Sequence, residues 1–208
     1  MAHHRATRAE INLKAFKHNL QNLKTVLGSK TDIMAVIKAD AYGHGALPCA
    51  KAAIESGVGY LGAGVIEEGI ELRKNGIKGP VLILGGIFPD EVTDLVHHNL
   101  STILHTSHLA EALSKEGKKQ GKTVNIHIKV DTGMNRLGIL PENLLALTEK
   151  ISSLPNLKIE ALSTHFSSAD DEDPSITKDQ IELFQTALIG LKKMGINPPV
   201  SYTHLRAH

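Results

Sequence analysis

Short apolar runs alternate along the chain with longer stretches in which apolar residues recur every three or four positions, the spacing of an amphipathic helix. The runs predict strands at 32–39, 60–65, 80–85, 101–106, 124–131 and 157–166. The longer stretches predict helices at 46–55, 67–75, 89–97, 109–119, 141–152 and 176–194. A leading helix at 12–27 opens with Leu13, Phe16, Leu20 and Leu23 on one face. Gly28, Gly57, Gly76, Gly121 and Gly195 follow the helical stretches, where a residue without a Cβ ends a helix at least cost.

Six successive strand-then-helix units imply a parallel sheet, because each crossover helix returns the chain to start the next strand in the same direction. Runs such as Val81-Leu82-Ile83-Leu84 are apolar on both faces, which suits either an open doubly wound sheet or a (β/α)8 barrel of the TIM type. The six units and the leading helix use the chain up to about residue 195. Two more units of roughly 30 residues each do not fit in 196–208. A barrel of this sequence is expected to be incomplete, with about six units.

Composition narrows the class of function. Of 208 residues 41% are hydrophobic, and 23 Lys and Arg stand against 22 Asp and Glu, a formal net charge of +1. This balance lacks the basic footprint of a nucleic-acid binder, and 3% aromatic content without Trp offers no stacking platform. Neither nucleic acid nor a membrane is expected as a partner, since the most apolar run, 81–88, is far too short to span a bilayer. A single cysteine, Cys49, and a polar N-terminus without a signal-peptide pattern suit a reducing cytoplasm. Asn99-Leu100-Ser101 matches a glycosylation sequon only by chance on that reading.

Candidate chemistry gathers at strand ends. Gly57-Val58-Gly59-Tyr60-Leu61-Gly62 satisfies G-x-G-x-x-G, yet a helix precedes it and a strand follows, the reverse of a dinucleotide-binding turn. Lys38 falls at the end of the first strand within Lys38-Ala39-Asp40-Ala41-Tyr42-Gly43-His44-Gly45. A charged amine there either pairs or snorkels, or it serves as a Schiff-base amine at the rim where barrel enzymes work. His127, Lys129 and Asp131 alternate onto one face of the fifth strand, and Arg136 follows in a glycine-bracketed loop suited to an anionic oxygen. His165 ends the sixth strand. His97, His98, His105 and His108 show no ligand spacing, and no metal site is expected.

The segment from Lys38 to Gly45 resembles the pyridoxal-phosphate attachment site of the alanine racemase family. Lys129-Val130-Asp131-Thr132-Gly133-Met134-Asn135-Arg136-Leu137-Gly138 and Thr164-His165-Phe166 are similar to two further motifs of that family, in the same order and spacing. Arg8-Ala9-Glu10-Ile11-Asn12-Leu13 and His18-Asn19 extend the resemblance over about residues 8–199.

The resemblance implies a pyridoxal 5'-phosphate enzyme interconverting L-alanine and D-alanine, supplying D-alanine for peptidoglycan of the cell wall. In the full-length family the barrel is followed by a C-terminal β domain in a cytoplasmic homodimer. It implies that Lys38 forms the Schiff base and is the base on one face of the substrate Cα. Tyr42 would help hold the phosphate, Arg136 would bond the cofactor's phenolic oxygen, and His165 would pack near the pyridine ring. Met134 would meet the substrate carboxylate through its backbone, alongside Arg136, and Lys129 matches a position carbamylated in some members. Residues 1–199 are thus expected to be a partial cofactor-binding barrel domain, and 200–208 an unrelated or artefactual tail, so that no family role passes to Tyr202, His204 or Arg206. The family's opposite-face base has no counterpart here, so the chain itself is expected to racemise weakly or not at all. The alternatives are a single-domain pyridoxal-phosphate homeostasis protein, or a racemase of another amino acid such as serine.

Overall fold

A computed structural model of the chain describes residues 7–204. Contacts divide it into two compact units, Met1–Leu82 and Ile83–His208. The first unit opens with α1 (Leu13–Leu27), capped by Asn12, whose side chain accepts the Ala15 N–H at 3.0 Å. Gly28 ends it at φ +73°, and of the expected apolar face only Leu20 is buried. A Lys17–Glu55 ion pair ties α1 to α2 (Ala46–Glu55).

Strand β1 (Met34–Val36) pairs in parallel with β2 (Tyr60–Ala63), Ala35 opposite Leu61. Helix α3 (Ile66–Lys74) then leads towards β3 (Val81–Ile83), whose three residues are all buried, as a strand covered on both faces requires. Gly57 takes φ +74° between α2 and β2, the helix-ending role expected of it in place of a phosphate-binding turn.

In the second unit a 3-10 turn at Pro89–Glu91 leads into α4 (Val92–His97), which is followed by β4 (Ser101–Leu104) and α5 (Ser107–Gln120). Strand β5 (Val124–Lys129) comes next, then a turn at Pro141–Asn143 and α6 (Leu144–Ser152). Strand β6 (Leu157–His165) and the long α7 (Ser175–Lys193) complete the expected units. Gly121 ends α5 in the left-handed conformation, and the next peptide, Lys122, donates to the Gly117 carbonyl at 2.8 Å. Strands β4, β5 and β6 pair in parallel, with Ile103, Ile126, Ile128 and Leu162 essentially fully buried.

Two features depart from the predicted pattern. The first strand stops at Val36 rather than at residue 39, because Ala39, Asp40, Ala41 and Tyr42 all take left-handed angles, φ +50° to +55°. A seventh strand, β7 (Val200–His204), also forms and pairs in parallel with β6, where six strands were expected. The segment is short, and it takes its place in the sheet by pairing with β6. Residues 205–208, Arg206 among them, lie outside the described residues.

Candidate active site

In the first unit, Lys38 lies just past the end of β1, half-buried, where the chain enters the left-handed turn Lys38–Gly43. Left-handed backbone costs an ordinary residue about 1–2 kcal/mol, so four in a row need compensation. Backbone bonds supply part of it: Ala41 N–H donates to the Ile37 carbonyl at 2.9 Å, and Gly45 N–H to the Asp40 carbonyl at 2.9 Å. The Asp40 carboxylate also accepts the Ala46 N–H at 2.6 Å, joining the turn to the start of α2. Tyr42 is 59% exposed, and the Lys38 amine lies 5.9 Å from its ring centroid, within cation–π range.

In the second unit the segment after β5 leaves the sheet and returns to it. Asp131 N–H donates to the Ile139 carbonyl and Ile139 N–H to the Lys129 carbonyl, both at 2.8 Å, closing the neck of a loop. Inside the loop, Asp131 Oδ1 accepts the N–H groups of Gly133 and Asn135 at 3.0 and 3.1 Å, an Asx-type turn. Thr132 and Thr164 share a buried hydroxyl bond at 2.7 Å, which pins the loop to β6. The result brings Arg136 to His165: guanidinium Nη2 donates to imidazole Nδ1 at 3.4 Å. That contact requires an acceptor at Nδ1, which assigns the proton of the neutral ring to Nε2. Arg136 itself is exposed, whereas Lys129 and His165 are each 8% exposed.

Two residues of the alternating face of β5 take structural roles. Asp131 builds the loop, as above. His127 is fully buried and belongs to a structural network: Glu160 Oε2 accepts from its Nε2 at 3.0 Å, Tyr202 Oη lies 3.2 Å from its Nδ1, and Asn125 donates to Glu160 Oε1 at 3.1 Å. A bulge in β6, where the register steps from Ile126↔Ile159 to His127↔Ala161, gives Glu160 its place. Tyr202 therefore has a packing role that its sequence did not signal.

Two side chains in this unit gain weight only from the structure. Gln180, on α7 and 2% exposed, accepts the Ser167 N–H at 3.0 Å, and a Cβ on Gly133 would come 3.3 Å from its amide nitrogen. It therefore packs against both the loop that carries Arg136 and the segment that follows His165. No local pattern marks a buried glutamine. His105 follows the end of β4, the same positional rule that singled out Lys38, and was passed over for want of ligand spacing.

The His105 Nδ1 is buried without a hydrogen-bond partner among the described residues. Burial, and then the positive charge of Lys129, push its imidazole below the ordinary value. A depressed imidazole contributes stability that is fully present above the ordinary value and is lost as pH falls through the depressed one. Denaturant midpoints measured from neutral to mildly acid pH are thus expected to fall less steeply in His105→Gln than in the parent chain. Equal slopes would remove His105 from the account.

Comparison with known proteins bears on the same segments. The family model described as alanine racemase, N-terminal domain, matches residues 11–207. An alanine racemase of Halothermothrix orenii is 40% identical over 199 residues, which cover 96% of this chain and 52% of that protein. One from Carboxydothermus hydrogenoformans is 43% identical over 196 residues, again covering 52% of its length. Among solved structures, alanine racemase of Clostridium difficile 630 superposes with a TM-score of 0.94 at 32% identity, covering 98% of this chain and 56% of its own. The Bacillus anthracis enzyme with bound L-Ala-P gives 0.89 at 30%, covering 98% and 53%. The chain spans about half the length of the curated relatives it matches. Its parallel strands and crossover helices are part of the (β/α)8-type barrel expected from the sequence. With most of its residues matched by the family model and its fold shared with those enzymes, the chain belongs to the alanine racemase family, as the N-terminal domain.

Proposed function

We propose that this chain is the pyridoxal 5'-phosphate-holding part of an enzyme that interconverts L-alanine and D-alanine. The observation that carries the reading is Lys38, placed immediately past β1 in a strained turn whose Ala39 and Ala41 N–H groups are each bonded. Strain kept at a strand end is a common mark of a working site. The donor set suits the cofactor chemically: a primary amine for its aldehyde, the Arg136 guanidinium for its phenolic oxygen, and the Tyr42 hydroxyl for its phosphate.

Bound pyridoxal phosphate supplies the electron sink that lets a weakly acidic Cα proton leave. Lys38 would hold the cofactor covalently through its primary amine, and its Nζ would take and return that proton on one face of the substrate. Arg136 is steadied by donating one N–H to His165 Nδ1, and its remaining N–H groups would be the donors to the cofactor's phenolic oxygen. The Met134 backbone and Arg136 would receive the substrate carboxylate, and His165 would be the residue beside the pyridine ring. Lys129, held at 8% exposure, matches the position carbamylated in some family members. The complete enzyme acts as a cytoplasmic homodimer making D-alanine for peptidoglycan. Among the described residues no helix is long and apolar enough to cross a membrane.

The test is the absorbance spectrum of the chain with added pyridoxal phosphate, followed by borohydride reduction and peptide mapping. A visible band whose reduced label maps to Lys38 is the expected result. A label scattered over surface lysines would overturn the assignment. Exchange of the alanine Cα hydrogen for deuterium by the loaded chain separates an enzyme from a carrier, because it needs the base on one face only.

A further inference from the structure

Glu68 lies in the first turn of α3, remote in sequence from the cofactor lysine and without a part in the chemistry above. Its two carboxylate oxygens are spent on two separate peptides. Oε1 accepts the N–H of Ala39, the residue directly after Lys38, at 2.7 Å. Oε2 accepts the N–H of Gly64, directly after β2, at 2.6 Å. Both bonds are short and charge-assisted, the stronger kind of hydrogen bond.

The two anchored peptides enclose the lysine stem. A Cβ on Gly64 would lie 3.1 Å from Lys38 Cβ and 3.2 Å from Glu68 Oε2, so the missing side chain is the space that the stem and the carboxylate occupy. Ala39 is also the first of the four left-handed residues, at φ +50°. Its N–H points at a carboxylate on α3, whereas Ala41 N–H is satisfied locally by the Ile37 carbonyl. The direction in which Lys38 leaves the backbone therefore depends on a bond from outside the turn.

We propose that Glu68 is the positioning residue for Lys38: by gripping the Ala39 and Gly64 peptides together it holds the turn closed and presents the lysine amine at the strand end. This rests on the reading of Lys38 as the cofactor lysine. Positioning of this kind needs a supporting side chain that is itself held, and Glu68 is fixed by two bonds.

The test compares Glu68→Gln and Glu68→Ala with the parent 208-residue chain in three measurements. Without cofactor, amide hydrogen exchange at Ala39 and Gly64 is expected to speed up about tenfold in Glu68→Ala, as loss of a charged acceptor implies. Trace acetylation, read as the ratio of Lys38 to Lys51, is expected to rise, because the stem leaves its slot over Gly64 and the amine becomes more exposed. Capture of pyridoxal phosphate at Lys38 is expected to fall about tenfold or more, since small misplacements of a reacting group cost that much. Glu68→Gln keeps the volume and one acceptor, and is expected to fall between the two.

Faster exchange with an unchanged Lys38 to Lys51 ratio in both variants would show a purely structural carboxylate and overturn the proposal. If Glu68→Ala does not fold, the Gln variant decides by the same ratio. A parent chain that captures no cofactor at Lys38 refutes the functional reading, while exchange and acetylation still judge Glu68.

Discussion

The Lys38→Ala chain is expected to show no visible band with pyridoxal phosphate and no borohydride-fixed label at the strand end, a complete loss rather than a weakening. The covalent link needs a primary amine, and no neighbouring group can stand in for one: the turn that follows offers the carboxylate of Asp40 and the phenol of Tyr42. Stability is expected to change little, by about 1 kcal/mol or less, because the grips on this segment are on peptide groups and not on the lysine side chain. Absorbance with borohydride mapping, paired with a denaturant melt of the same sample, separates the two effects. A surviving label in Lys38→Ala would move the cofactor lysine elsewhere.

Gly138→Ala is expected to disrupt the neighbourhood of Arg136 more than any other single methyl in the loop. Gly138 sits at φ +141°, a conformation that L side chains rarely adopt. Its Cβ would lie 2.7 Å from the Asp131 backbone nitrogen and 3.1 Å from the Asp131 Cα. Backbone cannot step aside as a flexible side chain can. Relief must come from opening the neck of the loop, where Asp131 N–H meets the Ile139 carbonyl. Strain of this kind costs about 1–3 kcal/mol, and losing that bond adds about 1 kcal/mol. The expected outcome is a melt lowered by about 2–4 kcal/mol and loss of the Arg136–His165 contact, visible as a changed His165 ring resonance. An unaltered His165 resonance would show that the loop absorbs the methyl without moving Arg136.

Much of the architecture was legible because its causes are local. The helix ends at Gly57 and Gly121 depend on the φ that each residue alone can adopt. The expected helix at 46–55 coincides with α2, since its apolar spacing and the flanking glycines lie within one window. The misleading G-x-G-x-x-G was likewise resolved by its neighbours, a helix before and a strand after. By contrast, the strand drawn to residue 39 ran three residues past the end of β1. Val36-Ile37-Lys38-Ala39 reads as strand by composition, whereas the left-handed turn is held by its own backbone bonds together with the distant carboxylate of Glu68.

The candidate site was legible to a similar depth. Lys38, Arg136 and His165 stand out because amines, guanidinium groups and imidazoles at strand ends are unusual residues in a usual place. Their supports did not stand out. Glu68 reads as an acidic residue in a helical first turn, favourable to the dipole and unremarked. Gln180, Glu160 and Tyr202 find their partners 13, 33 and 75 residues away, in Ser167 and, for the last two, His127.

The sequence by itself determined the alternation of strand and helix, the parallel sheet that follows from it, the family, and which residues are candidates for the chemistry. Each of these depends on periodicity, on single-residue conformational freedom, or on a motif contained within about ten neighbouring positions. Tertiary structure alone decided where β1 stops, that residues 200–204 form a strand, which of His127, Lys129 and Asp131 serve packing, and how Lys38 and Arg136 are aimed. Those outcomes rest on hydrogen bonds and burial between residues far apart in the chain, and such partners exist only once the chain has folded.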